Sequence, residues 1–235
     1  MVHDDLSERR RRVEDRVAAA CARNGRDPRE IRIVAVTKGH PAETVVAALA
    51  AGFREIGENR VGQAMGKFLQ VAEPLAEHGA VRHMVGHLQR NKARDALRSF
   101  DWIQSVDSMR LARTLSRRLE EGAKLPVLVE VNAGGEEQKH GFEPESAVER
   151  AQEIAELPGL VLRGLMTMAP QTDDESVLRA TFRRARRLYE SLAEIGESPP
   201  DTLSMGMSGD YPVAVEEGAT MIRLGTVLFG PRAGG

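Results

Sequence analysis

Short apolar runs alternate along this chain with longer stretches whose apolar positions recur every three or four residues. The short runs fall at residues 31–37, 53–56, 82–85, 102–106, 126–131, 161–166, 202–205 and 221–224. Several are rich in β-branched residues and almost continuously apolar, the pattern of parallel strands covered on both faces. Between them, helical periodicity marks residues 42–51, 61–77, 89–98, 108–121, 144–156, 174–195 and 212–217. Pro41 and Gly52 bracket the first of these, Asp107 or Ser108 is placed to cap the fourth, and Pro158-Gly159 closes the fifth.

Strands that alternate with helices predict βαβ units and a parallel sheet. Eight of them in 235 residues predict an α/β fold with a single domain, residues 1–235, built as a (β/α)8 TIM barrel. A doubly wound open sheet is the alternative. About ten residues follow the last strand, too few for a closing outer helix. The helical segment at residues 6–24, ahead of strand one, is the candidate to fill that gap.

The charge balance narrows the partners. A net charge of -2 leaves no bulk field toward nucleic acid or an anionic membrane, so neither is expected as a partner. The basic run from Arg9 to Arg12 is flanked by Glu8, Glu14 and Asp15 and reads as a solvated helix face. Cys21 is the single cysteine, so no internal disulfide forms and a reducing compartment fits. The start, Met1-Val2-His3-Asp4-Asp5, lacks the apolar core of a signal peptide, and no stretch approaches a membrane span. The expected location is the cytoplasm.

In such a barrel, functional groups gather at the carboxyl ends of the strands. Lys38 ends strand one, where partial desolvation favours the neutral amine that attacks aldehydes; on its own it reads more readily as a strand-end lysine reaching solvent. The turn after strand seven, Ser204-Met205-Gly206-Met207-Ser208-Gly209-Asp210, is a glycine-punctuated entry to a helix. After strand eight come Gly225, which permits close backbone approach, and Thr226, with a hydroxyl and an amide. Barrels bind phosphate with these two loops, and closure sets strand eight beside strand one. A phosphate at Ser208, Gly225 and Thr226 would then lie near Lys38. A phosphate grip beside an amine is what pyridoxal 5′-phosphate requires. Ordinary glycine turns would show the same spacing.

Other strand ends are less specific. Arg223 sits in an apolar run and needs a buried partner: a carboxylate, a phosphate or a ring nitrogen. Asn59, after Gly57-Glu58, is placed either to reach the cofactor or to cap a helix. His83 and His87 lack the His-Glu-x-x-His pattern, and no metal is expected. Asn132 ends strand five, with Lys139-His140-Gly141 in its loop, and Met166, Met168, Met205 and Met207 read as core.

Taken in order, these pieces resemble the pyridoxal phosphate homeostasis protein family from about residue 7 to Arg232. The matching motifs are Ala35-Val36-Thr37-Lys38, Gly57-Glu58-Asn59, His83 through Lys92, and Gly164-Leu165-Met166-Thr167-Met168. The most specific is Leu203 through Asp210 followed by Ile222 through Gly230. The resemblance implies a barrel of the alanine racemase N-terminal domain type. It implies Lys38 as the Schiff-base lysine, phosphate on Ser208, Gly225 and Thr226, the pyridine nitrogen near Arg223, and Asn59 lining the site. Two positions depart from the family pattern: Arg60-Val61-Gly62-Gln63 follows Asn59 in place of an aromatic with Val-Gln-Glu, and Arg82 stands where a tryptophan is common.

Two classes of function compete. One is a carrier or regulator in the homeostasis of the cofactor and of amino and keto acids, with transient hand-over to apo-enzymes; a self-contained barrel permits a monomer. The other is an amino-acid racemase, which needs a base on each face of its substrate. In the racemase fold the second base is a tyrosine from an additional domain, for which this chain has no room. Its own tyrosines are Tyr189, mid-helix, and Tyr211, just past the phosphate loop. An arginine at the ring nitrogen also argues against elimination or transamination, which need a stronger electron sink. The carrier is therefore the expected reading. A barrel enzyme for sugar phosphates is a more distant third and would be colourless.

Overall fold

In the computed structural model, which describes residues 2–136, 140–195 and 199–231, eight parallel strands pair in chain order and close on themselves. They are β1 (Arg32–Val36), β2 (Glu55–Glu58), β3 (Val81–Met84), β4 (Trp102–Val106), β5 (Leu125–Glu130), β6 (Leu160–Met166), β7 (Thr202–Ser204) and β8 (Met221–Leu224). Strand β8 lies beside β1, from Arg32 opposite Met221 to Ala35 opposite Leu224. That pairing excludes the open doubly wound sheet and puts the turns after β8 and β1 side by side.

The helices are α1 (Val2–Ala22), α2 (Ala42–Ala50), α3 (Val61–Gln70), α4 (Ala72–Glu77), α5 (Ala93–Ser99), α6 (Met109–Arg118), α7 (Pro144–Ala155), α8 (Glu175–Glu190), α9 (Tyr211–Glu216) and α10 (Thr226–Phe229). The stretch 61–77, read from periodicity as one helix, is two. Pro74 has no N–H and crowds the carbonyl four residues back, that of Gln70, so the chain breaks at Val71 with φ -121° and ψ 29°. Ser108 caps α6 as expected, its Oγ accepting from Leu111 N at 3.3 Å.

Helix α1 fills the place of a closing outer helix, packing on α9, α10 and α2. Its basic run is not simply a solvated face. Arg9 Nη1 donates to Leu228 O at 3.0 Å and Arg10 Nη1 to Ala51 O at 2.6 Å, so two of the four arginines tie α1 to its neighbours. Alternation along the strands divides the buried residues. Ala35, Ile56 and Leu224 join the shell between strands and helices, while Val34, Val36, Val85 and Met221 form a separate inner cluster. Among the described residues, no helix is long and apolar enough to cross a membrane.

Candidate cofactor site

Strand β1 ends at Val36, and Lys38 lies two residues on, half-buried in a tight turn. The turn is held from below. Thr37 is fully buried; its N–H donates to Gly57 O at 3.0 Å and its hydroxyl to Glu58 Oε1 at 2.7 Å. Lys67, from α3, donates to Thr37 O at 2.8 Å and pairs with Glu58. The reading of strand two as residues 53–56 missed this, because Gly57 and Glu58 belong to β2.

The turns of β7 and β8 meet at Ser208. Its Oγ accepts from Gly225 N at 3.3 Å and from Val227 N at 3.2 Å. A side chain at Gly225 would place Cβ 3.2 Å from Val36 O, so this backbone runs close against the end of β1. His40, just past Lys38, packs its ring 5.6 Å from that of Phe229 in α10. Ser208, Gly225 and the Lys38 turn are thus neighbours, and Thr226 opens α10 exposed to solvent. Gly206 supports the loop with φ +96°, and a Cβ there would sit 2.6 Å from Ala214 Cβ.

Arg223 is inside the barrel, opposite Val34, and only 4% exposed. It donates through Nη1 to Ser204 Oγ at 2.7 Å and through Nη2 to Thr167 O at 2.8 Å. Burial pulls its pKa down to about 10, while Asp210 and Glu130 hold it up, so the guanidinium is cationic at neutral pH. Glu130, at the end of β5, is 3% exposed, and its Oε2 has no partner among the described residues. Burial and the Asp107 carboxylate raise its pKa to about 7 against the pull of Arg223. The sequence offered no signal for Glu130 beyond a lone acid closing an apolar strand.

Asn59 follows β2, half-buried, and a Cβ on Gly86 would lie 2.5 Å from its carbonyl oxygen. The helix-cap alternative does not hold, since Arg60 is the residue at the start of α3. Asn132 closes its own loop, donating to Glu136 O at 2.9 Å. Lys139 lies outside the described residues. Met166 and Met205 are fully buried, in line with core packing.

His87 and His140 stack with ring centroids 3.8 Å apart, and the Nδ1 of each faces Asp107 Oδ2, at 2.8 and 3.9 Å. The three ligand atoms lie within 4.8 Å of one another, with His87 Nδ1 hydrogen-bonded to the carboxylate. Tyr211 is buried with its ring 5.7 Å from the Arg16 guanidinium of α1, and Tyr189 donates to Pro200 O at 2.9 Å. Both tyrosines lie on the helical shell, in α8 and α9.

An amine turn, a serine with two neighbouring amides, and a buried cation facing a partnerless carboxyl oxygen make a mouth that fits a phosphorylated aldehyde with a ring nitrogen. The profile of the alanine racemase N-terminal domain matches residues 13–233. An alanine racemase of Clostridium difficile shares the barrel with a TM-score of 0.74 at 18% identity, this chain covering 57% of its length. Within that class, the pyridoxal phosphate homeostasis proteins of Pseudomonas aeruginosa and Escherichia coli are 40% and 38% identical, each over 97% of this chain and 96–97% of theirs. The chain belongs to the pyridoxal phosphate homeostasis protein family. PipY of Synechococcus elongatus, solved with pyridoxal phosphate bound, aligns with a TM-score of 0.78 and 36% identity, over 93% of this chain and all of that one.

Proposed function

We propose that this chain binds pyridoxal 5′-phosphate at the carboxyl-terminal mouth of its barrel and serves in the homeostasis of the cofactor and of amino and keto acids. The observation that carries this reading is the meeting of Ser208 with the amides of Gly225 and Val227 beside the end of β1, two residues from Lys38. Ser208, Gly225 and Thr226 would hold the phosphate through hydroxyl and N–H donors. Arg223 would donate to the ring nitrogen, and Asn59 would line the site. The bound group would supply a reactive aldehyde, which the Lys38 amine captures as a Schiff base with loss of water. An arginine on the ring nitrogen keeps that nitrogen unprotonated, which weakens the ring as an electron sink and disfavours elimination or transamination. The barrel acts as one unit, in the cytoplasm, as a monomer that hands its cargo over in transient contacts with apo-enzymes.

Spectroscopy tests this directly. The purified protein should take up the cofactor with a visible band that Lys38→Ala lacks, and borohydride should fix the label on Lys38. A colourless wild type that takes up no added cofactor overturns the reading. Sustained turnover of L- or D-amino acids by the loaded protein would overturn its carrier part.

A further inference from the structure

Below Arg223, a polar thread crosses the barrel interior from one mouth toward the other. Arg223 Nη1 reaches Ser204 Oγ at 2.7 Å, and Ser204 Oγ reaches Gln104 Oε1 at 2.7 Å. Gln104 Nε2 reaches His83 Nδ1 at 3.0 Å, and His83 Nε2 meets Glu55. Arg32 forks onto Glu55 at 2.8 and 3.0 Å. Ser204, Gln104 and His83 are fully buried, whereas Glu55 lines a cavity of about 490 Å³ at the amino-terminal end of the strands.

The protons along this thread follow from one chemical fact: arginine only donates. Ser204 Oγ accepts from Arg223, so its own proton goes to Gln104 Oε1. The Gln104 amide then turns its NH2 toward His83 Nδ1, which must accept. His83 Nε2–H is left to donate to the Glu55 carboxylate. Every link points the same way, from the cation to the anion, and each polarises the next. Burial pushes His83 below the ordinary histidine range. Burial raises Glu55, but His83 and Arg32 outweigh it, so the carboxylate is ionised and the ring neutral. The charged groups facing His83 are Glu55, Arg32 and Asp101; those facing Arg223 are Asp210 and Glu130. A proton on Nδ1 would face the Gln104 NH2, and flipping that amide would strip Ser204 of its acceptor.

We infer that Ser204, Gln104, His83 and Glu55 are positioning residues for Arg223, fixing its guanidinium as the donor to the cofactor's ring nitrogen from the opposite end of the barrel. This rests on the pyridoxal phosphate reading above. Nitrogen NMR of the cofactor-free protein tests the thread alone. His83 should be the neutral Nε2–H tautomer and should not titrate near the ordinary histidine value of about 6.5. An Nδ1–H tautomer, or a cationic ring in the folded protein at neutral pH, overturns the inference.

Visible absorbance of the loaded protein tests the link to Arg223. Ser204→Ala and His83→Leu should shift the band maximum and weaken retention of pyridoxal phosphate about tenfold, the worth of one hydrogen bond to a charged group. His83→Gln, whose amide offers an acceptor and a donor at nearly the ring's spacing, should restore both. Variants that lower the thermal midpoint yet leave band and retention unchanged show a merely structural thread and defeat the inference. If His83→Leu does not fold, Ser204→Ala makes the same comparison one link from Arg223. A wild type that takes up no cofactor would instead defeat the preceding reading, while the tautomer still reports on the thread.

Discussion

Lys67 Nζ donates to the carbonyl oxygen of Thr37 at 2.8 Å, and Thr37 immediately precedes Lys38. The same ammonium neutralises Glu58, which is wholly buried and accepts the Thr37 hydroxyl. Removing Lys67 would leave Glu58 as a buried carboxylate without its cation. Lys67→Met should therefore destabilise the fold by about 3 kcal/mol or more, within the range for breaking a buried pair. Adding Glu58→Gln should recover part of that loss, because both charges are then gone. Urea unfolding of the two single variants and the double variant measures the coupling. Strictly additive losses would show that the pair does not hold the Lys38 turn.

On the function proposed above, the phosphate grip and the Lys38 attachment would be separable. Ser208 touches the amides of Gly225 and Val227, and the attachment would rest on Lys38 alone. Ser208→Ala should weaken capture of pyridoxal 5′-phosphate about tenfold. Saturating cofactor should still give the wild-type band, since Lys38 is intact. Pyridoxal, which lacks the phosphate, should bind both proteins equally. Equal loss with both ligands would place Ser208 in loop folding and not in phosphate recognition.

Gly206 tests the shape of the same loop. Its φ of +96° is strained for any L side chain, and a Cβ there would press on Ala214 in α9. Gly206→Ala should lower stability by about 1–3 kcal/mol. It should also weaken cofactor capture, because Ser208 lies two residues on. By contrast Gly209, where a Cβ would have no neighbour within 4 Å, should accept alanine with little change in stability. Thermal melts of the two alanine variants make the comparison.

The order of the strands was legible in the sequence from the alternation of apolar runs, although β2 ends at Glu58, two residues beyond its apolar run. Once eight strands close in chain order, Lys38, Asn59, Ser208, Gly225 and Thr226 must gather at one mouth. The interior was not legible. Ser204 and Gln104 are 100 positions apart, and only closure of the barrel brings the hydroxyl to the amide. His83 attracted a metal question as one of two nearby histidines, yet its partners are Glu55 and Gln104, on the neighbouring strands. Gly57-Glu58 reads from the sequence as following strand two, because the apolar run stops at Ile56. It is strand here because Lys67, nine residues on, neutralises the buried carboxylate. A single proline, Pro74, was enough to split a helix whose apolar periodicity runs through unbroken.

Glu130 makes the stability of the cofactor-free protein depend on pH in a definite direction. Its pKa rises from 4.5 to about 7 on folding, through burial first and then the Asp107 carboxylate. Below the unfolded value both states hold the proton, and Glu130 adds no pH dependence. Between that value and the folded one, the unfolded chain releases the proton while the folded protein keeps it, so stability falls as pH rises. Above the folded value both states are ionised and the full loss persists, as much as about 3 kcal/mol. Glu130→Gln removes this titration while keeping the shape. Its stability relative to wild type should be higher at pH about 8 than at pH about 4.5, with the rise completed near the folded pKa. Urea midpoints across that range read the difference. A gap that does not change with pH would mean that Glu130 titrates alike in the folded and unfolded states, so that Arg223 faces an ionised carboxylate at neutral pH.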